Sequence, residues 1–302
     1  LGATSHIAKG LIYYFNKNQT GELFLFARSI DRVQAFLNQI ECTLPVHVKE
    51  FDDFKKTRYD VIINCVGISG AHNLKERISS CFSLTEQFDN LALDYLNQYP
   101  NTLYINFSSG AVYGTVFASP VNASTDSRWD IHHLAESDYY GIAKLNAEAK
   151  HRACPHLNIV DLRLFGYFSR FIDLKSPYLL AEILSCIKAG TIFLTSPDNI
   201  IRDYLHPADL FSFVERCIEK KRLNETFDSF SLNPVSKFEM LDYFTREYGL
   251  RFEVRDEIKT ASITGTKAHY YSTDQCAMAI GYAPQFRSID TVTLESKIIL
   301  ST

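Results

Sequence analysis

Four short apolar runs recur through the first half of the chain: residues 23–27 (LFLFA), 61–66 (VIINCV), 103–107 (LYINF) and 158–164 (NIVDLRL). Amphipathic stretches with helical spacing accompany them at residues 31–40, 84–98 and 138–152. A strand covered by helices on both sides reads as a continuous apolar run. Alternation of such runs with helices predicts an α/β fold, a doubly wound parallel sheet. A further helix is expected at 7–15, and 46–51 (VHVKEF) reads as another strand. Beyond about residue 165 the pattern loosens, with Gly166, Pro177, Gly190 and Pro197 intervening. A strand at 225–232 (ETFDSFSL) and a helix near 236–247 follow. These imply a smaller C-terminal α/β domain over most of 166–302, beside a first domain of 1–165, with a segment near 200–222 returning to the first.

The chain has 302 residues and 46% hydrophobic content, enough for one large or two modest cores. A formal net charge of -4 gives no reason to expect a nucleic-acid partner, although local clusters can still bind an anion. Cys42, Cys65, Cys81, Cys154, Cys186, Cys217 and Cys276 are odd in number and form no C-x-x-C pair. Free thiols in a reducing cytoplasm fit better than disulfides or zinc, and no metal is expected. No apolar run approaches the ~20 residues that cross a bilayer, so no membrane partner is expected.

The chain opens with Leu1, Gly2, Ala3, Thr4, Ser5, His6, Ile7 and Ala8. A dinucleotide-binding fold needs a tight glycine turn into its first helix, where backbone N–H groups meet the pyrophosphate. Gly2 takes the first position of a G-x-x-G-x-x-G turn, and the small Ser5 and Ala8 take the other two. Gly2, Thr4, Ser5, His6 and Ile7 are therefore cofactor candidates, with an ordinary loop as the alternative reading. An acidic residue at the end of the next strand would select NAD by its ribose hydroxyls. Here Arg28 and Ser29 follow Ala27 instead, types suited to the 2′-phosphate of NADP. A solvated surface arginine is the alternative. Asp52 is a candidate for the adenine amino group, and Cys65, Val66 and Gly67 for the strand end along which the cofactor passes.

The strongest signal is Tyr140-Gly141-Ile142-Ala143-Lys144 on a helix. Spacing i, i+4 puts Tyr140 and Lys144 on one face. A tyrosine with an unperturbed pKa of about 10 is a poor base at neutral pH. A neighbouring ammonium is expected to lower that value, so that the pair exchanges a proton with a hydroxyl or carbonyl. Upstream, Phe107-Ser108-Ser109-Gly110-Ala111-Val112-Tyr113-Gly114 ends a predicted strand. Here the chain resembles the extended short-chain dehydrogenase/reductase family of nucleotide-sugar epimerases, dehydratases and reductases. Arg202-Asp203-Tyr204-Leu205-His206-Pro207-Ala208-Asp209 is similar to a later motif of that family, and Ser272-Thr273-Asp274 with Ile280-Gly281-Tyr282-Ala283-Pro284 to its closing pattern. The resemblance runs in order from residue 1 to about 290.

The resemblance implies a Rossmann-like sheet, a nicotinamide cofactor and a nucleotide-sugar substrate. It makes Ser109, Tyr140 and Lys144 catalytic, with Phe107 beside the cofactor. Ser109, Ala111, Tyr140 and Arg202 would meet the substrate, Arg202 at its diphosphate. His206 and the aspartates read as fold residues. The family's first strand has no counterpart before Gly2, so sequence preceding Leu1 is expected. Many enzymes with this fold pair through two helices, and 84–98 and 138–152 are the candidates for a homodimer. The sugar pocket is expected around 67–72, 111–113, 165–180 and 268–272, with Tyr167, Lys175, Tyr270 and Tyr271 among its candidate walls.

Dehydratases of the family carry an Asp-Glu pair directly after the serine, and the fucose-forming branch a cysteine two residues after it. Gly110 and Ala111 stand there and transfer no proton. The reading is NADPH-dependent reduction of a nucleotide-linked 4-keto-6-deoxy sugar in deoxysugar biosynthesis, because Arg28 points to NADP(H); NAD(H) stays open. A 4-epimerase with tightly held NAD is the first alternative. A redox-inactive nucleotide sensor or scaffold is the second, and a plain aldehyde or steroid reductase the third.

Overall fold

The computed structural model describes residues 1–67, 80–114, 117–258 and 267–301. The first half contains helix α1 (His6–Asn18), strand β1 (Leu23–Phe26), α2 (Ile30–Gln39), β2 (Val46–Lys49), β3 (Val61–Asn64), α3 (Cys81–Gln98), β4 (Leu103–Ser109), α4 (Glu136–Arg152) and β5 (Ile159–Leu164). Then come α5 (Leu179–Ala189), β6 (Ile192–Thr195), β7 (Ile201–Arg202), α6 (Pro207–Ile218) and β8 (Asn224–Asp228). The last are β9 (Val235–Ser236), α7 (Lys237–Tyr248), β10 (Arg251–Val254), β11 (His269–Tyr270) and α8 (Ser288–Leu300). Among the described residues no helix is long and apolar enough to cross a membrane.

Strands β3, β4, β5 and β8 form a parallel sheet in the order β3-β4-β5-β8. Strands β1 and β2 form a parallel pair. Leu1 and Gly2 join the two: the Leu1 amino group donates to the Ile63 carbonyl at 2.7 Å, and Gly2 N–H donates to that of Phe26 at 2.9 Å. Side chains alternate across a strand, so β4 serves two cores. Leu103, Ile105 and Phe107 pack with Leu11 and Phe15 of α1 and Leu210 and Val214 of α6. Tyr104 faces the other way, with Ala92, Tyr95 and Leu96 of α3. Helices on both faces of a parallel sheet make the fold α/β and doubly wound.

The ends of α1 follow from its sequence. Ser5 Oγ accepts the Ala8 N–H at 3.2 Å, and Gln19 closes the helix in the left-handed region at φ 52°. α6 begins with Pro207, and the His206 ring accepts the Ala208 N–H. His206, stacked on Phe286, is thus bound into the fold.

The later chain builds a separate core in which Leu180, Ile183 and Leu184 meet Met240, Leu241 and Phe244 and, from α8, Val292 and Ile299. β6 pairs with β10, and β7 lies between β11 and β9. The strand expected over 225–232 is shorter and shifted. Residues Asn224–Asp228 pair with β5, so the returning chain extends beyond 222. After Asp228 the chain leaves the sheet, because Asp203 takes the Ser231 N–H at 3.0 Å.

Candidate active site

The glycine turn lies between the ends of β1 and β3. Gly2 has φ +76°, and a Cβ there would lie 3.0 Å from the Cys65 and Val66 backbone, so the turn needs glycine on two counts. Thr4 and Ser5 continue it, with Ser5 N–H donating to the Gly2 carbonyl at 2.9 Å. The His6 ring turns inward: it hydrogen-bonds Ser169 Oγ at 2.7 Å and meets Tyr167 edge-on. Burial pushes its pKa down to about 4. What faces outward is backbone, since the N–H groups of His6 and Ile7 have no acceptor among the described residues. Arg28 is exposed just past β1, with no ion pair among the described residues, and Ser29 stands at the N-cap position of α2 without a capping hydrogen bond from its side chain. Asp52 is exposed in the 3-10 turn Phe51–Lys56 beyond β2. Burial raises the Cys65 thiol to about 11, Val66 N–H bonds Asn64, and among the described residues nothing lies within 4 Å of a Cβ placed at Gly67. Residues 68–72, the first expected wall of the sugar pocket, lie outside the described residues.

β4 ends in Ser109, whose Oγ accepts the Ala111 N–H at 3.2 Å and caps the 3-10 turn Gly110–Tyr113. Helix α4 brings Tyr140 against this turn, near the Ser109 hydroxyl. One helical turn on, buried Lys144 donates from Nζ to the Phe107 carbonyl at 2.7 Å. Ser109, Tyr140 and Lys144 therefore converge at the carboxyl end of β4, where open α/β sheets bind ligands. Gly141 permits the approach. Its Cβ position is filled by the Ala111 carbonyl and the Trp129 ring. Gly141→Ala is expected to destabilise the protein by about 1–3 kcal/mol through overpacking. Turnover is expected to fall as well, because the helix carrying Tyr140 must move; paired melting and activity measurements check this.

One expectation is corrected. Lys144 does not set the tyrosine's ionisation here. Burial raises the Tyr140 pKa, and the neighbouring Tyr270, Tyr178 and Cys81 add to it, with the nearby Ser109 hydroxyl acting the other way. Lys144 is itself pushed down by burial, opposed by Cys81 and the carboxylates of Asp161, Asp89 and Glu148. The physical reason is that helix spacing fixes which residues share a face, while desolvation depends on what covers that face.

The tyrosine hydroxyl that hydrogen-bonds Ser109 is that of Tyr270 on β11, with its oxygen 3.0 Å from Ser109 Oγ. Tyr270 stands among the aromatic residues expected near the sugar, but nothing in its sequence surroundings distinguishes it from Tyr271. Tyr167 instead packs against α1, close over Gly10, and Lys175 is exposed. Arg202 pairs in register with Tyr270 across β7 and β11, its guanidinium 5.9 Å from the ring centre. Lys267 Nζ lies over the same ring at 4.6 Å; sequence reading missed it, since a lone lysine beside an irregular segment carries no pattern. Beneath the site, Ser108 donates to Glu148, which pairs with Arg163 at 2.6 Å. Arg163 donates to the Tyr113 hydroxyl, which donates to Asp228 at 2.9 Å. Ser272 donates to Asp228 at 2.6 Å.

A model of the NAD dependent epimerase/dehydratase family matches residues 1–232. No curated protein matches the chain. Among solved structures, the dTDP-glucose 4,6-dehydratase of Bacillus anthracis, in complex with NAD, is similar at 14% identity and a TM-score of 0.81, covering 100% of this chain and 95% of that one. The UDP-glucuronic acid 4-epimerase of Bacillus cereus, with UDP-glucuronic acid and NAD, is similar at 15% identity and a TM-score of 0.81, covering 99% and 97%. The UDP-glucose 4-epimerase of Bifidobacterium longum, with NAD+ and UDP, is similar at 17% identity and a TM-score of 0.77, covering 99% and 96%. With its parallel sheet, its glycine turn and a family match spanning most of its length, the chain belongs to the NAD-dependent epimerase/dehydratase family.

Proposed function

We propose that the protein reduces the keto group of a nucleotide-linked 4-keto-6-deoxy sugar with NADPH. The observation that carries this reading is Ser109 at the end of β4, with Tyr140 against the turn it caps, Lys144 one helical turn on, and Gly110 and Ala111 next to the serine. Reduction asks the protein to hold a carbonyl oxygen and give it a proton. Elimination of water asks for a further acid and base, which Gly110 and Ala111 do not supply.

The residues of the glycine turn fit a dinucleotide. The open N–H groups of His6 and Ile7, at a helix N-terminus with no acidic residue in its first turn, suit a pyrophosphate. Arg28 and Ser29 suit a 2′-phosphate, and Asp52 and the stretch from Cys65 to Gly67 the adenosine and ribose beside it. A nicotinamide bound there supplies the hydride. Ser109 holds the sugar oxygen, and Tyr140 gives it the phenolic proton. Burial keeps Tyr140 in the phenol form that has a proton to give. Lys144, anchored on Phe107, stands one helical turn from the exchange. The chain beyond residue 166 supplies most of the sugar side, with Arg202 toward the diphosphate.

A second reading is C4 epimerisation with tightly held NAD and no net redox change. The likeness to 4-epimerases solved with NAD favours it. Consumption of NADPH and NADH, measured with a panel of nucleotide-linked 4-keto-6-deoxy sugars, separates the two. Rapid oxidation of NADPH, slower with NADH, is expected. Arg28→Glu is expected to raise the KM for NADPH about 10–100-fold with little change for NADH, as loss of a charge-assisted phosphate contact requires. If neither cofactor is consumed with any sugar and NAD remains bound to the purified protein, the epimerase reading replaces the reductase.

A further inference from the structure

A serine hydroxyl has one hydrogen to give and two lone pairs to receive. Ser109 Oγ takes the Ala111 N–H at 3.2 Å on one of them, and the Tyr270 oxygen lies 3.0 Å away. Tyr270 stands 161 residues further along the chain, and the fold fixes its place from both sides. The His269 N–H donates to the Phe117 carbonyl at 3.1 Å, and the Tyr271 carbonyl accepts the Val121 N–H at 3.1 Å. Between these two bonds the Tyr270 ring packs on Phe117, with 4.7 Å between ring centres, and on Phe165 at 5.4 Å. Phe165 in turn lies on Gly110, where its ring fills the place of a Cβ. The two phenylalanines offer the Tyr270 hydroxyl no acceptor, whereas Ser109 Oγ does. Burial pushes the Tyr270 pKa up to about 12, so the phenol keeps its proton.

A buried hydroxyl left without a hydrogen-bond partner costs about 1–3 kcal/mol, which favours the arrangement in which Tyr270 donates to Ser109. Both lone pairs of Ser109 are then taken, and its own hydrogen is left for a third group. We propose that Tyr270 is a positioning residue of the reaction: its hydroxyl donates to Ser109 and so fixes Ser109 as a donor to the reacting sugar oxygen. This rests on the reading in which Ser109 holds that oxygen. Neither Ser109 nor Tyr270 gives up its proton; Tyr140 supplies the one that the oxygen takes. Hydrogen bonds in a chain polarise one another, so Ser109 donates more strongly as negative charge grows on the oxygen. The gain belongs to the transition state more than to bound substrate, and it appears in kcat rather than in KM.

A double-mutant cycle read on NADPH oxidation with the nucleotide-linked 4-keto-6-deoxy sugars tests this. Tyr270→Phe keeps the ring and its packing. It is expected to lower kcat about 3–10-fold, with KM and melting temperature near the wild-type values. In the Ser109→Ala background the same change is expected to alter kcat by less than about 2-fold, because the group through which Tyr270 acts is gone. Should Ser109→Ala unfold the protein, 3-fluorotyrosine in place of Tyr270 takes over as the measurement. Its phenol is the stronger donor, so kcat at or above the wild type supports positioning, and a loss like that of phenylalanine overturns it. Effects of the two substitutions that simply multiply also overturn it, as does a Tyr270→Phe variant that raises KM alone or changes nothing. The reductase reading is decided separately. If the wild type leaves NADPH unused but epimerises UDP-glucose or UDP-glucuronate, that reading falls and the same cycle is read on epimerisation. A wild type with neither activity removes both.

Discussion

Tyr140→Phe is expected to lower kcat by about 10²–10⁴-fold while leaving the melting temperature and nucleotide-sugar affinity near the wild-type values. The substitution removes one oxygen. That oxygen lies near Ser109 at the mouth of the site, while the ring stays packed on the same helix face. Ser109 keeps its other contacts, accepting the Ala111 N–H and meeting the Tyr270 hydroxyl. What is lost is the proton donor, an effect confined to the chemical step. Turnover assays beside calorimetric binding check it. A variant that keeps more than about a tenth of kcat would place the donor elsewhere. Tyr270 would then be the next residue to change, because its hydroxyl reaches the same serine.

The largest effect on stability is expected at His151, one of three ionisable residues in sequence near the end of α4. Its ring is fully buried between two aspartates, with Nε2 2.6 Å from Asp89 and Nδ1 2.9 Å from Asp161. With a carboxylate on each nitrogen, both nitrogens donate and the ring is an imidazolium. Burial alone lowers its pKa, but the hydrogen bonds to Asp161 and Asp89 together raise it from 6.5 to about 9. His151→Leu removes the buried cation that the two carboxylates share, leaving Asp89 to Lys150 and Asp161 to Arg152, both of which are partly exposed. A loss of about 3–5 kcal/mol is expected, on the order of 10 °C in Tm. The pH dependence has a definite sign. A folded-state pKa above the unfolded one means the contribution is complete below pH 6.5 and is lost as pH rises through about 9. The stability gap between wild type and variant should therefore shrink across that window in urea unfolding. A gap that is constant from below pH 6.5 to above 9 would show that the histidine is neutral in the folded protein.

The same histidine marks a boundary of sequence reading. The runs at 103–107 and 158–164 predict strands correctly because a parallel sheet demands apolar side chains on both faces. Yet Asn106, Ser108, Asp161 and Arg163 lie on the strands too, and the pattern passes over them. In the structure they meet the polar residues of α3 and α4. Asn106 donates to Asp161 at 2.7 Å, and Arg163 pairs with Glu148. One face of the central strands is a hydrogen-bonded layer of buried charge. Whether such residues pair or face solvent depends on which helix lies over them, and spacing along the chain does not record that.

At the site the division is similar. Serine after a strand and Tyr-x-x-x-Lys on a helix are local patterns, and local geometry carries them: one helical turn puts Tyr140 and Lys144 on one face, and a capped 3-10 turn presents Ser109. The glycine turn was legible because Gly2 must adopt a positive φ beside the Cys65 backbone. The sequence by itself therefore determined the α/β class, the family and the three converging residues. Tertiary structure alone decided the electrostatics: that burial holds Tyr140 as a phenol, that His6 faces inward, and that Tyr270, more than a hundred residues from Ser109, reaches it with Lys267 over the tyrosine ring. Periodicity encodes direction along an element, whereas desolvation and long-range pairing are set by what the fold brings from elsewhere.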